Sequence, residues 1–155
     1  MPPKSNNATL KVNKTISFFL RSLTIEDLQD CASVLSNGKK GFSQPLYEYF
    51  QKGFLGFGAF NLEGMVGYVF IKNPKERPET LSMVLPLWRG LGIASALRDF
   101  AIESSKKGLV GDFVYSATEL TNESALKSLL RSGFEIVEIT GTDKRYIQLR
   151  KAIKI

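Results

Sequence analysis

The spacing of hydrophobic positions changes several times along the chain, and each change predicts an element. TISFFLR at 15–21 reads as a strand. Thr24 then opens a helix with Asp27 as its capping-box partner, and Leu28, Cys31, Ala32 and Leu35 fall at helical spacing. Asn37-Gly38 ends it, and a short helix follows from about Pro45 to Lys52 with Gly53 as its cap. FLGFGAF (54–60) and MVGYVFIK (65–72) are strands joined by a hairpin signal at 61–64. The second is apolar almost throughout, which predicts a central strand covered on both faces. After the charged, proline-containing loop 73–79 comes a strand over 80–85, stopped by Pro86. A helix is predicted from about Gly92 to Lys107 and a strand over 110–117. Asn122 caps a helix through Arg131 that turns Ala125, Leu126, Leu129 and Leu130 inward, and 134–139 with 144–151 close the chain as an antiparallel pair.

The order is β-α-α-β-β-β-α-β-α-β-β. A three-strand meander ahead of a β-α-β crossover predicts an α/β (α+β) fold on a mixed sheet. The chain has 155 residues, 43% hydrophobic and 23% charged, which fits one globular domain over 15–155. Residues 1–14 are polar and read as a flexible basic tail. Three of the 21 lysines and arginines and none of the 15 acids lie there, so 15–155 carries +3 of the net +6. A mildly basic domain suits anionic ligands without arguing for a nucleic-acid surface. The chain has no histidine and one cysteine, Cys31, which the helical spacing places on an apolar face as a core thiol. Those counts exclude a Ser-His-Asp triad, a Cys-His pair and a histidine zinc site, and no metal is expected. No apolar run reaches membrane-spanning length and no signal-peptide core opens the chain, so the expected address is cytoplasmic.

VLPLWRGLGIASALRDFAIE (84–103) carries the chemistry. A strand ends at a proline, an Arg-Gly-Leu-Gly-Ile-Ala loop follows, and a helix begins with small residues. Gly90 and Gly92 let backbone N–H groups turn inward, the helix start adds unpaired donors, and Arg89 adds a forked cation. Such a run makes a cradle for a phosphate or diphosphate. A dinucleotide-binding Gly-x-Gly-x-x-Gly would need glycine where Ser95 stands, and a Walker loop would need Gly-Lys-Ser/Thr; neither is present. A plain strand-to-helix turn remains the alternative.

The run resembles motif A of the GCN5-related N-acetyltransferase (GNAT) superfamily, Val-x-Pro-x-x-Arg-Gly-x-Gly-Ile-Gly/Ala. Val84, Pro86, Arg89, Gly90, Gly92, Ile93 and Ala94 fill it. TNESALKSLLRSGFE (121–135) is similar to motif B, with Asn122, Ala125, Gly133 and Phe134 in register. The resemblance covers about residues 15–150. It implies a mostly antiparallel sheet of about seven strands with about four helices, whose strands 80–85 and 110–117 splay to admit the pantetheine arm of acetyl-CoA. The backbone of Met83 and Val84 would bind that arm, the amides of Arg89, Gly90, Leu91, Gly92, Ile93 and Ala94 would hold the diphosphate, and Asn122 would cap its helix or reach the pantetheine.

The resemblance further implies direct attack of an amine on the thioester in a ternary complex, with the Val84 N–H as donor to the thioester oxygen. The family often has a tyrosine as general acid where this chain has Leu129, and some members use a serine where this chain has Ala125. Tyr115 and Glu79 are the candidates left for acid and base; each is also readable as an ordinary strand aromatic and a loop-edge charge. The acceptor site is expected from 38–50, 73–79 and 141–143, with Phe42, Tyr47, Tyr49 and Phe50 as an aromatic wall and Lys39 and Lys40 leaning toward an acidic acceptor. The expected partner is a small-molecule or peptide amine, with nucleic acid entering only as an aminoacyl-tRNA acceptor or through the basic tail, and a homodimer through the exposed final hairpin by analogy of fold. The competing function is a module that binds acyl-CoA or a partner protein with degenerate catalysis, which Leu129 favours.

Overall fold

A computed structural model of the chain describes residues 7–12, 17–38, 41–143 and 145–153. Its strands are β1 (Asn7–Lys11), β2 (Ser17–Ser22), β3 (Leu55–Asn61), β4 (Gly64–Lys72), β5 (Glu79–Val84), β6 (Phe113–Glu119), β7 (Glu135–Thr140) and β8 (Tyr146–Ala152). Its α-helices are α1 (Leu28–Leu35), α2 (Gln44–Gln51), α3 (Ile93–Ser105) and α4 (Glu123–Arg131). The strands form one sheet in the order β1-β2-β3-β4-β5-β6-β8-β7. Every described pairing is antiparallel except that of β5 with β6.

The sheet is packed on both faces, as the nearly unbroken apolar run of β4 requires. Alternate residues of β4 point opposite ways. Val69 and Ile71 join the core beneath α3, with Leu97, Ala101, Val114, Leu129 and Leu149. Tyr68 and Phe70 enter a second core with Cys31, Val34 and Leu46 of α1 and α2. Cys31 is fully buried there, and burial pushes its thiol up to about 12, in keeping with a core thiol. Tyr49 and Phe50, expected in an acceptor wall, instead pack edge-on against Phe70 at centroid distances of 5.4 and 5.3 Å. Phe42 and Tyr47 do stack on one another outside that core, at 5.5 Å. Lys39 and Lys40 lie outside the described residues.

The eighth strand is β1, in the segment read as a tail. Asn7–Lys11 alternates polar and apolar residues, and Ala8 and Leu10 are partly buried against the α3-side core while the backbone pairs with β2. Residues 1–6 and 13–14 of that expected tail lie outside the described set. The strand predicted over 110–117 is displaced to Phe113–Glu119, because Gly111 takes a positive φ of 78° and turns the chain first. On α4, Leu126 and Leu129 pack inward as expected, but Leu130 faces outward at 45% exposure.

One departure from regular pairing positions the site. β5 pairs with β4 along its whole length, yet with β6 only at Glu79–Tyr115. The Tyr115 N–H donates to the Pro78 carbonyl at 2.8 Å, and the Ser116 hydroxyl donates to the Thr80 carbonyl at 3.3 Å. Beyond those contacts β6 continues against β8 alone, so β5 and β6 part and leave a wedge between them.

Candidate functional site

The wedge presents backbone groups from one wall. The Leu85 N–H donates to the Val66 carbonyl, which fixes the phase of the β4–β5 ladder. Antiparallel pairs alternate between exchanging hydrogen bonds and turning them outward. Met83 therefore points its backbone N–H and C=O at Tyr68 of β4, while Ser82 and Val84 point theirs into the wedge. This corrects the expected pair: Ser82 and Val84 are the available backbone groups, and the Met83 side chain packs against the α1 and α2 core. The Val84 carbonyl is taken by Arg89 Nε at 2.9 Å, which leaves the Val84 N–H as a donor.

At the wedge mouth the chain makes a 3-10 turn at Pro86–Trp88 and enters α3 through two glycines. Gly90 and Gly92 sit at φ of 81° and 83°, in the left-handed region. A Cβ built on either would meet no protein atom within 4 Å, so the space over this turn is open. The first paired amide of α3 is that of Ala96, donating to the Gly92 carbonyl at 3.0 Å. Among the described residues, the amides of Gly90 through Ser95 donate to no other backbone group. Across the mouth, Asn122 accepts from the Ala125 N–H at 3.1 Å and so caps α4.

These elements enclose a cavity of about 410 Å³. Trp88 closes one side, held edge-on against Phe18 at 5.4 Å. Arg89, Lys127 and Arg131 stand round it together with the buried Arg98, and no carboxylate of the described residues lines it. Helix macrodipole, free amides and four cations therefore act in the same sense, and the cavity is built for an anion. Arg89, Gly90, Gly92, Ile93, Ala94 and Asn122 all line it. Leu91 does not, and its side chain is 39% exposed.

No protein-family model and no curated protein sequence matches this chain. Solved structures do. The GNAT domain of S. lividans PAT superposes with a TM-score of 0.73 at 12% identity, covering 94% of this chain and 96% of that one. The ribosomal-protein-S5-alanine acetyltransferase from Vibrio fischeri gives 0.69 at 14%, covering 95% and 97%. The yncA protein of Salmonella typhimurium, solved with its cofactor acetyl-CoA, gives 0.67 at 13%, covering 88% and 94%. The chain has the GNAT fold.

Within the GNAT fold, the parting strands and glycine turn lie where the motif resemblance places them, but the two catalytic candidates do not join them. Glu79 is the first residue of β5 and Val84 the last, about 16 Å apart at the usual strand rise. Tyr115 is paired with Glu79 and lines a separate hollow of about 210 Å³ with Glu76 and Phe113, its ring covered by the Arg77 guanidinium at 3.9 Å. Both sit at the closed end of the wedge, because the strands must still be paired there before they separate. Leu129 is only 3% exposed within the core, so that position holds packing and no proton chemistry.

The sequence reading missed Ser82, Trp88, Arg98, Ser124, Lys127, Ser128 and Arg131 as lining residues. The α4 residues were findable. Asn122 marks the helix start, and 124, 127, 128 and 131 share one helical face opposite the buried Leu129 and the partly buried Leu126. Arg98 was not, since an arginine on a helix ordinarily signals the solvent face. Among the described residues no group of three or more His, Cys, Asp or Glu side chains could hold a metal, and no helix is long and apolar enough to cross a membrane.

Proposed function

We propose that this protein is an acyl-CoA-dependent N-acyltransferase, in its simplest form an acetyltransferase. The observation that carries the reading is the wedge itself, with the Ser82 backbone groups and the Val84 N–H facing it and leading out to a cationic mouth that no carboxylate of the described residues lines. Coenzyme A matches that sequence of environments: an amide-bearing arm for the β5 edge and an anionic diphosphate for the amides of Gly90 to Ala94. Bound as its acyl thioester, it would supply a carbonyl activated toward amines.

The chain's own contribution is to bind, to orient and to stabilise charge. Val84 offers its amide to the thioester oxygen, and one such donor is worth on the order of 10²–10³ in rate. The amine nitrogen forms the new C–N bond, the C–S bond breaks, and the proton released by the amine returns to the thiolate through water. No carboxylate or histidine of the cavity takes part. That bareness, with Leu129 in the core, also favours a second reading: a module that binds acyl-CoA without efficient turnover.

Calorimetry with coenzyme A and acetyl-CoA, followed by thiol release against a panel of primary amines, separates the two. Binding with release supports the transferase, binding without release supports the module, and absence of binding at millimolar ligand removes both.

A further inference from the structure

Besides Asp27, the described buried polar residues are Thr80, Arg98, Ser116, Thr118 and Ser132. Thr80 and Ser116 meet where β5 and β6 still touch, and Ser132 lies against Arg98. Arg98 is the one charge among them and is 3% exposed. Its backbone lies about 9 Å down α3 from Gly92, and it lines the same cavity. Its guanidinium donates to Ser82 Oγ at 3.2 Å, to Ser128 Oγ and to Ser132 Oγ at 3.3 Å. Its Nε has no partner, and neither has the nearby Thr80 Oγ1. Among the described residues no carboxylate hydrogen-bonds it, and Asp99 acts on it only through space. Asp99, next in the chain, points away to pair with Lys151 at 3.3 Å. Burial lowers the Arg98 pKa to about 10 from an ordinary 12.5.

A guanidinium removed from water needs a counter-charge or full hydrogen bonding, and three neutral hydroxyls with an orphaned Nε supply neither. Ser82, which Arg98 touches, stands two residues inward of Val84 and two outward of Thr80, where the strands still bridge. Resting on the acyl-CoA reading above, with the diphosphate at the mouth, the inner wedge is where the acyl group arrives. We propose that the acyl donor is a dicarboxylic acyl-CoA, and that Arg98 with Ser82 and Ser128 receives its terminal carboxylate. The amine then attacks the thioester carbon, the C–S bond breaks, the proton lost by nitrogen goes to the departing thiolate, and the product is an N-acyl amide that keeps its free carboxylate.

Calorimetry with coenzyme A, acetyl-CoA, butyryl-CoA and succinyl-CoA tests this on the full chain. Butyryl and succinyl chains are the same length and differ in the terminal carboxylate. Succinyl-CoA is expected to bind about tenfold tighter or more than butyryl-CoA, as a charge-assisted pair in a dry site should. Arg98→Met should erase that preference and Arg98→Lys should keep part of it. Equal or weaker binding of succinyl-CoA to the unaltered protein overturns the proposal. So does an Arg98→Met that weakens all four ligands alike, since Arg98 would then serve the shared arm. If Arg98→Met does not fold, the unaltered protein and Ser82→Ala decide by the same comparison. Failure of coenzyme A itself to bind is a different result, because it carries no acyl group: it removes the acyl-CoA reading and this inference with it.

Discussion

Replacing Gly92 by valine probes the mouth of the wedge with two separable effects. The first is backbone strain. Gly92 sits at φ 83°, and holding a β-branched residue there costs about 1–3 kcal/mol. For a domain of this size each kcal/mol moves the melting temperature by roughly 2–4 °C, so the variant should melt about 2–12 °C lower. The added Cβ meets no protein atom within 4 Å, so strain rather than a Cβ clash sets that figure. The second effect is on the ligand. The new methyl groups fill the open space over the free amides of Gly90 to Ser95, where a diphosphate would approach. Coenzyme A at about 100 times its dissociation constant should stabilise the unaltered protein by about 2.7 kcal/mol, and Gly92→Val should lose that shift. Gly53 supplies the control: its φ is 74°, a Cβ there also meets nothing within 4 Å, and it lies at the far end of α2. Gly53→Val should lower the melting point similarly and keep the full ligand shift. Differential scanning fluorimetry reads both. A Gly92→Val protein that retains the coenzyme A shift refutes the assignment of these amides as the anion cradle.

Lys127→Glu and Arg131→Glu should each weaken coenzyme A binding about three- to tenfold at low salt in calorimetry, with smaller losses at high salt, because both cations are exposed. Unchanged affinity would show that α4 does not face the ligand. Asp27 reports on the pH response of the fold. Burial raises its pKa, but the paired bonds from Arg21 at 2.9 and 3.0 Å and the Thr24 N–H at 2.9 Å outweigh that, leaving it below 3.8. A depressed carboxylate contributes stability that is present above its unfolded pKa near 3.9 and lost as pH falls through the folded value. Asp27→Asn should therefore cost about 1 kcal/mol at neutral pH, kept small by the one-third exposure of Arg21, and flatten the stability curve below pH 4 in urea titrations. An acid limb as steep as that of the unaltered protein would contradict it.

Most of the architecture was legible because punctuation and period agreed. Ser43 and Pro45 start α2, Asn122 starts α4, and Gly53 and Gly133 end them. The glycine turn into α3 was legible for the same reason, since positive-φ glycines and a helix start leave their mark in composition. β1 was hidden because Asn7, Thr9 and Lys11 face water and only Ala8 and Leu10 reach the core. The catalytic candidates failed on geometry. Glu79 is near motif A in the chain, but a strand carries it steadily away from Val84, and nothing in residue type announces that distance. Arg98 was the reverse case. It falls on the buried stripe that includes Ile93, Leu97 and Ala101, and its charge disguised its location. Only three-dimensional proximity to Ser82, Ser128 and Ser132 reveals what it touches.

The parting of β5 from β6 has a mechanical side. The eight strands divide into a set of five and a set of three, paired edge to edge among the described residues only at Glu79 and Tyr115, and each set should move as a plate. Whatever threads between the plates becomes a splint across the seam. Occupancy should then be readable far from the ligand, as slowed amide exchange spreading through both plates at once.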